Sequence, residues 1–126
     1  MFPKYFIIGA FNAALAIALG AFGAHGLEEK ISEHYLEVFE TGVRYHMYSA
    51  LGLMLISLMD KMVNGSPRAQ IGGKLILAGT IIFSGSLYVL SLTGYSKLGM
   101  ITPIGGLCML IGWGFVIAGA IKNRTK

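Results

Sequence analysis

The chain has 126 residues, of which 55% are hydrophobic and 13% are charged. A soluble domain usually carries roughly 25% charged residues, so a single water-facing globule is excluded and the bilayer is the expected solvent. The net charge of +4 does not indicate a nucleic-acid partner, because the basic residues flank apolar runs and form no patch. The single cysteine, Cys108, excludes an internal disulfide and a thiolate cluster.

Four apolar runs predict an all-α membrane protein whose residues 1–126 form one domain with four transmembrane helices. A helix needs about 20 residues to cross roughly 30 Å of hydrocarbon, and only helices satisfy their own backbone hydrogen bonds there. The first run has some signal-peptide features, but its small packing residues and the three spans after it favour a retained helix. The predicted spans are residues 5–24, 42–59, 71–92 and 98–121.

The first connection predicts a short amphipathic helix over about residues 27–40. Apolar side chains recur there at helical spacing from Leu27 to Phe39, and glutamates fill much of the other face. We expect this helix to lie along the outer membrane surface until Gly42 turns the chain into the bilayer.

The second span is short. Its stretch without charge or imidazole, Met47 to Met59, covers only about 20 Å at about 1.5 Å per residue. The helix must therefore begin earlier, which brings Arg44 and His46 to the hydrocarbon boundary, or the bilayer must thin locally. Packing and snorkelling favour the earlier start, with these polar side chains facing the bundle interior.

The distribution of Lys and Arg predicts the orientation. Seven of the ten lie on the side of the two termini, which favours both termini in the cytoplasm. These seven are Lys4, Lys61, Arg68, Lys74, Lys122, Arg124 and Lys126.

The later connections contain common turn and helix-capping residues. Residues 63–70 are predicted as a loop, and Thr102 with Pro103 as the N-cap and first position of the last helix. Small residues repeat every seven positions and predict close packing of the helices that carry them. The repeats are Gly9, Ala16 and Gly23, then Gly72, Gly79 and Ser86, then Gly105, Gly112 and Gly119.

Polar residues gather at the predicted outer end, where His25 closes the first helix and Arg44 and His46 open the second. Together with Glu40 and Tyr48 they form the candidate binding site. Their spacing also allows a purely structural role, in which Arg44 pairs with Glu40 and contacts the Tyr48 ring. His25 and His46 are candidate metal or haem ligands, but no ligand-pair spacing supports this and structural histidines are favoured, so no cofactor is expected.

Absent motifs disfavour an enzyme. The spans hold no carboxylate except Asp60 at one end, and the chain has no nucleophile elbow, phosphate-binding loop or zinc-protease motif. The favoured hypothesis is a non-enzymatic binding or accessory protein, whose partners are a membrane lipid, a second copy of the chain or another membrane protein. The alternatives are a small transporter or channel and a haem or metal redox protein.

Four stretches carry a family resemblance: GAFGAHGL at 20–27, TGVRYHMYSALGL at 41–53, FSGSLYVLSL at 83–92 and TPIGGLCMLIGW at 102–113. They resemble small bacterial membrane proteins of the YwdK/YgdD type, a domain of unknown function. The resemblance covers essentially the whole chain and implies a four-helix inner-membrane protein with no established reaction. Such proteins often carry His at the position of Ser49, so the serine here leaves His25 and His46 as the candidate ligand pair.

Overall fold

A computed structural model of the chain describes residues 1–123 and confirms an all-α fold. Its helices are α1 (Lys4–Gly26), α2 (Glu33–Met62), α3 (Pro67–Thr93) and α4 (Thr102–Asn123), with a short 3₁₀ helix, Ser96–Met100, before α4. No strand occurs within residues 1–123. Arg124 and Lys126, which entered the orientation count, lie outside the described residues.

The helices pack in chain order, each antiparallel to the next. α2 lies between α1 and α3, while the most extensive interface joins α3 to α4. We call the end where α1 and α3 begin the terminal end, and the end where α2 and α4 begin the far end. This order places the middle of α2 against three other helices, because it also meets α4 where Gly52 packs on the Trp113 ring.

Within the described residues, three helical segments are long and apolar enough to cross a membrane. They are Lys4–Gly26, Pro67–Thr93 and Ser96–Asn123, with hydropathies of 2.0, 2.0 and 2.1. α2 is the longest helix, at 30 residues, but its first part is too polar to join them. The fourth predicted span therefore stays a prediction.

The predicted separate surface helix over residues 27–40 is wrong in its bounds. Residues 27–31 form turns and a bend, and α2 then runs without interruption from Glu33, capped by Ser32, whose Oγ accepts the Tyr35 N–H at 3.2 Å. Gly42 makes no turn. A Cβ at Gly42 would lie 2.9 Å from Cε1 of Tyr88, so this glycine serves the close approach of α3.

The predicted glycine interface between the last two helices is confirmed. A Cβ at Gly79 would lie 2.7 Å from the Gly105 carbonyl oxygen, and one at Gly72 would lie 2.5 Å from the Gly112 oxygen. In α1, Gly9 meets the backbone of α2 in the same way. Such backbone contact is possible only for residues without a side chain, and it replaces the hydrophobic driving force that is missing between helices in lipid.

At the start of α4, Thr102 is the first helical residue, and its hydroxyl lies 2.6 Å from Ser86 Oγ of α3. The prediction of Thr102 as the N-cap is therefore wrong: its hydroxyl also donates to the Leu98 carbonyl at 3.4 Å, and it joins α4 to α3. The 3₁₀ helix takes up the beginning of the predicted span 98–121, so the regular helix starts at 102.

The connection between α2 and α3 is shorter than predicted because Asp60 organises it. The buried Asp60 carboxylate accepts the Ser66 N–H at 2.8 Å and the Gln70 side-chain amide at 3.1 Å. Ser66 in turn caps α3 through the Ala69 N–H, so α3 begins at Pro67 and the loop contains only residues 63–66.

Asp60→Ala is expected to lower the free energy of unfolding by about 1–3 kcal/mol, because it leaves buried donors without an acceptor. Glu29→Ala, at an exposed turn position, is the matched control and should be neutral. Denaturant unfolding in detergent micelles, followed by the fluorescence of the single tryptophan, measures both. Equal stability of the two variants would show that Asp60 does not hold this loop.

Candidate functional site

His46 is the most enclosed of the predicted site residues. It lies on α2 with 5% of its surface exposed, and both ring nitrogens are hydrogen-bonded. Nδ1 lies 2.9 Å from the Tyr88 hydroxyl of α3, and Nε2 lies 2.8 Å from the Asn12 side-chain oxygen of α1. One imidazole thus joins three helices, and we call Asn12, His46 and Tyr88 the polar triad.

The hydrogen bonds of the triad assign its protons. The Asn12 amide nitrogen donates to the Ile8 carbonyl at 2.8 Å, so its oxygen faces His46 and accepts from Nε2–H. The Tyr88 hydroxyl then donates to Nδ1. A neutral imidazole satisfies this arrangement, and both ring nitrogens of His46 are occupied within it.

Neighbouring contacts hold the triad in place. The Phe39 ring, 1% exposed, packs on the Tyr88 ring with centroids 5.0 Å apart. Ser84 Oγ donates to the Gly42 carbonyl at 2.8 Å and ties α3 to α2 one turn away. The triad therefore belongs to the helix interface.

A narrow cleft of about 180 Å³ opens beside the triad, between α1 and α3. We call it the polar cleft. Beyond the triad, its polar atoms come from Thr80 and Ser84, whose hydroxyls donate to backbone carbonyls. The full lining is Asn12, His46, Leu77, Thr80, Ile81, Ser84, Gly85 and Tyr88.

The other predicted site residues lie elsewhere. His25, Arg44 and Tyr48 are exposed, and Glu40 is half-buried. Residues two positions apart on a helix point about 200° apart, so α2 cannot turn both Arg44 and His46 toward the interior. The prediction of an inward-facing polar head is thus correct for His46 and wrong for Arg44.

The structural role suggested for Arg44 is not seen. Within residues 1–123, the one ion pair joins the Met1 amino group to Asp60 at 3.9 Å, and the one cation–π contact joins Lys61 to Phe2. Arg44 therefore has neither the Glu40 partner nor the Tyr48 ring contact.

The metal and haem alternative finds no support in this geometry. His25 is exposed, while both His46 nitrogens are already bonded. The described residues hold no group of three His, Cys, Asp or Glu side chains placed to bind a metal ion.

An aromatic groove of about 360 Å³ lies between α2, α3 and α4. Three of its rings are in contact, since Tyr45 packs edge-on against Tyr48 at 5.5 Å and against Phe83 at 5.0 Å, while Trp113 rests on Gly52. The full lining is Tyr45, Tyr48, Ser49, Phe83, Gly106, Met109, Leu110 and Trp113.

Arg44 is an exposed cation close to this groove along α2, although it is not part of the lining. It precedes Tyr48, which lines the groove, by four residues, so it lies one helical turn nearer the far end on the same side of the helix. Tyr48 is 60% exposed.

Sequence reasoning missed two residues of the triad and the groove as a whole. Asn12 is an amide within an apolar run and Tyr88 is a tyrosine near a helix end, and both were visible as such. Polar side chains at similar depth in three helices are the signal that could have joined them to His46.

Comparison of the sequence with known proteins identifies a family whose function is unknown. The family model described as "Protein of unknown function (DUF423)" matches residues 19–106. The "UPF0382 membrane protein YwdK" of Bacillus subtilis (strain 168) is 50% identical over 118 residues, covering 94% of this chain and 96% of that protein. The "UPF0382 membrane protein SAB0533" of Staphylococcus aureus (strain bovine RF122 / ET3-1) is 48% identical, covering 94% and 95%. No solved structure matches the chain. These matches confirm the resemblance stated from the sequence motifs.

Proposed function

Since this chain belongs to the DUF423 family of unknown function, whose similar members are named only as membrane proteins, we propose a function from its own geometry. The proposal is a non-enzymatic membrane protein that binds a lipid with an anionic headgroup. Arg44 holds the headgroup at the far end, and the aromatic groove holds an acyl chain.

The proposal includes four transmembrane helices in a bacterial membrane, with both chain termini on the cytoplasmic side. The packing of α2 supports the fourth span, because α2 contacts α1 from Phe39, against Gly23, to Met54, against Gly9. It also contacts α3 from Gly42 to Ile56. A helix packed along two membrane-spanning neighbours crosses the bilayer with them. The excess of Lys and Arg at the terminal end supports the orientation, which makes the far end extracytoplasmic.

The observation that carries the proposal is the exposed Arg44, which has no ion-pair partner within residues 1–123 and lies one helical turn from Tyr48 in the lining of the aromatic groove. A guanidinium presents five N–H donors in a planar fork that matches a phosphate, and a cation at the hydrocarbon boundary is costly without such a partner. The groove below it opens toward lipid and is mostly apolar, which suits a chain of methylene groups. A lipid supplies both parts in one molecule.

The polar triad has a structural role in this proposal. Its hydrogen-bonding atoms satisfy one another, so a ligand at His46 would have to displace a neighbouring helix contact. The binding residues predicted from the sequence therefore have two different roles in this proposal. Arg44 and Tyr48 contact the lipid, whereas His46 joins the helices.

Arg44→Gln is expected to lower the affinity for phosphatidylglycerol about tenfold or more, because it removes a charge-assisted bidentate contact. Lys30→Gln is the matched control, since Lys30 is another exposed cation at the far end. Native mass spectrometry of the purified protein, titrated with phosphatidylglycerol, measures both, and the same spectra report any dimer. An equal loss of affinity in both variants, or no loss in either, contradicts the proposal.

The same native mass spectrometry experiment also tests the aromatic groove. Gly106→Leu should displace the acyl chain, because a Cβ there makes only ordinary contact with Phe83 at 3.6 Å and the rest of the side chain enters the groove. Gly114→Leu, on the same helix but facing open space, should leave lipid binding unchanged.

A second candidate is a small transporter, and the polar cleft is the observation in its favour. Asn12→Leu would then abolish solute or proton flux in proteoliposomes. If the unmodified protein gives no flux, or if flux persists in the folded Asn12→Leu variant, the transporter proposal fails and lipid binding remains the proposed function.

A further inference from the structure

A second cavity, of about 250 Å³, lies at the terminal end between the first turns of α1 and α3. Unlike the aromatic groove, it is lined mostly by polar atoms. Lys4 is the first residue of α1, and Lys74 is on the third turn of α3; both side chains are exposed. We call this space the lysine cavity, and its lining is Met1, Lys4, Tyr5, Gln70 and Lys74.

The charges around the lysine cavity do not balance. Within residues 1–123, neither lysine has an ion-pair partner. Among residues 1–123, Asp60 has the one acidic side chain near this end, and it is already engaged by Ser66, Gln70 and the Met1 amino group. All other acidic residues of the chain lie between Glu28 and Glu40, at the far end. Two ammonium groups therefore share one cavity with no acid in its lining.

We infer that the lysine cavity binds a phosphate group through Lys4 and Lys74. Two like charges beside one cavity repel each other until an anion lies between them. Lysine ammonium groups bind phosphate as point charges, and Tyr5 in the same lining carries a hydroxyl that can act as a further donor. Lys4 lies at the start of α1 and Lys74 two helical turns into α3, from where a long lysine side chain can reach the level of lipid headgroups. The phosphate belongs either to a lipid of that leaflet or to a soluble ion.

This site is independent of the proposed lipid site, because it lies at the opposite end of the bundle and uses other residues. To keep the two apart, every protein in the test carries Arg44→Gln. The test variant adds Lys4→Gln and Lys74→Gln. The matched control adds Arg68→Gln and Lys122→Gln, which remove the same charge from exposed positions at the same end, outside the cavity.

Native mass spectrometry of the full chain with phosphatidylglycerol, phosphatidylcholine and inorganic phosphate distinguishes the sources. We expect the test variant to bind phosphatidylglycerol about a hundredfold more weakly, because two charge-assisted contacts to the phosphate are lost, and the control to lose much less affinity. Lys4→Arg with Lys74→Arg should restore binding. If inorganic phosphate alone follows this pattern, the ligand is a soluble phosphate.

Equal weakening in the test and control variants would overturn the inference, because it would reduce the effect to net charge. The absence of phosphatidylglycerol and phosphate binding in the Arg44→Gln parent would overturn it as well. Circular dichroism verifies that each variant keeps its helix content.

Discussion

Gly105→Ala is expected to destabilise the protein by about 3 kcal/mol, at the upper end of the usual cost of overpacking. A Cβ at this position would lie 2.5 Å from the Phe83 nitrogen and 2.8 Å from the Gly79 oxygen. Both atoms belong to the backbone of α3, so no side-chain rotation relieves the clash. The two helices must separate along their most extensive interface.

The control for this prediction is Gly114→Ala on the same helix, where a Cβ has nothing within 4 Å. Alanine there should leave stability unchanged or slightly raised, since alanine favours a helix over glycine by about 1 kcal/mol. Denaturant unfolding of both variants in micelles provides the comparison. If Gly105→Ala is no less stable than Gly114→Ala, α3 and α4 do not pack through their glycines.

His46→Phe is expected to cost about 1–3 kcal/mol of unfolding free energy, from two interhelical hydrogen bonds of about 0.6–1.7 kcal/mol each. The phenyl ring keeps the bulk of the imidazole but leaves the Asn12 oxygen and the Tyr88 hydroxyl without partners. Tyr88→Phe should cost about half as much, because it removes one of the two bonds.

The matched control is Tyr45→Phe, since the Tyr45 side chain is 42% exposed and its hydroxyl makes no hydrogen bond within residues 1–123. A double-mutant cycle between His46→Phe and Tyr88→Phe isolates their coupling. Additive effects in that cycle would mean that the hydrogen bond contributes nothing. A marked loss in Tyr45→Phe would mean that the assay responds to any lost tyrosine hydroxyl.

These two predictions concern different interfaces. The glycines let α4 approach α3 by removing side chains, whereas the triad joins α1, α2 and α3 by polar contacts. Changes in the first should release α4, and changes in the second should loosen α1. The triad does not line the aromatic groove, so phosphatidylglycerol binding there is a readout separate from the triad's contribution to stability. The glycines, in contrast, hold α4, which lines the groove, so their substitution should weaken both.

Much of the fold could be predicted from the sequence, because it depends on local properties. Apolar runs the length of the bilayer specify helices, and glycines at a seven-residue spacing specify which faces of α3 and α4 approach each other. The Ser-Pro pair at the start of α3 forms the cap that was predicted for Thr102 and Pro103, where the helix instead begins at Thr102 itself. The polarity of α2, however, suggested a break at Gly42, since composition cannot tell a turn from a contact site.

The candidate site was predictable only in part. His46 and Arg44 were identified as residue types out of place in a membrane helix, and that depends on the sequence alone. Which of the two faces the bundle interior depends on the rotation of α2 about its axis, and that rotation is determined by packing against the other helices. Asn12 lies 34 positions before His46, and Tyr88 lies 42 positions after it. Composition and spacing thus determined which residues needed partners. The tertiary structure decided which partners they found, because helix rotation and depth arise from contacts between segments distant along the chain.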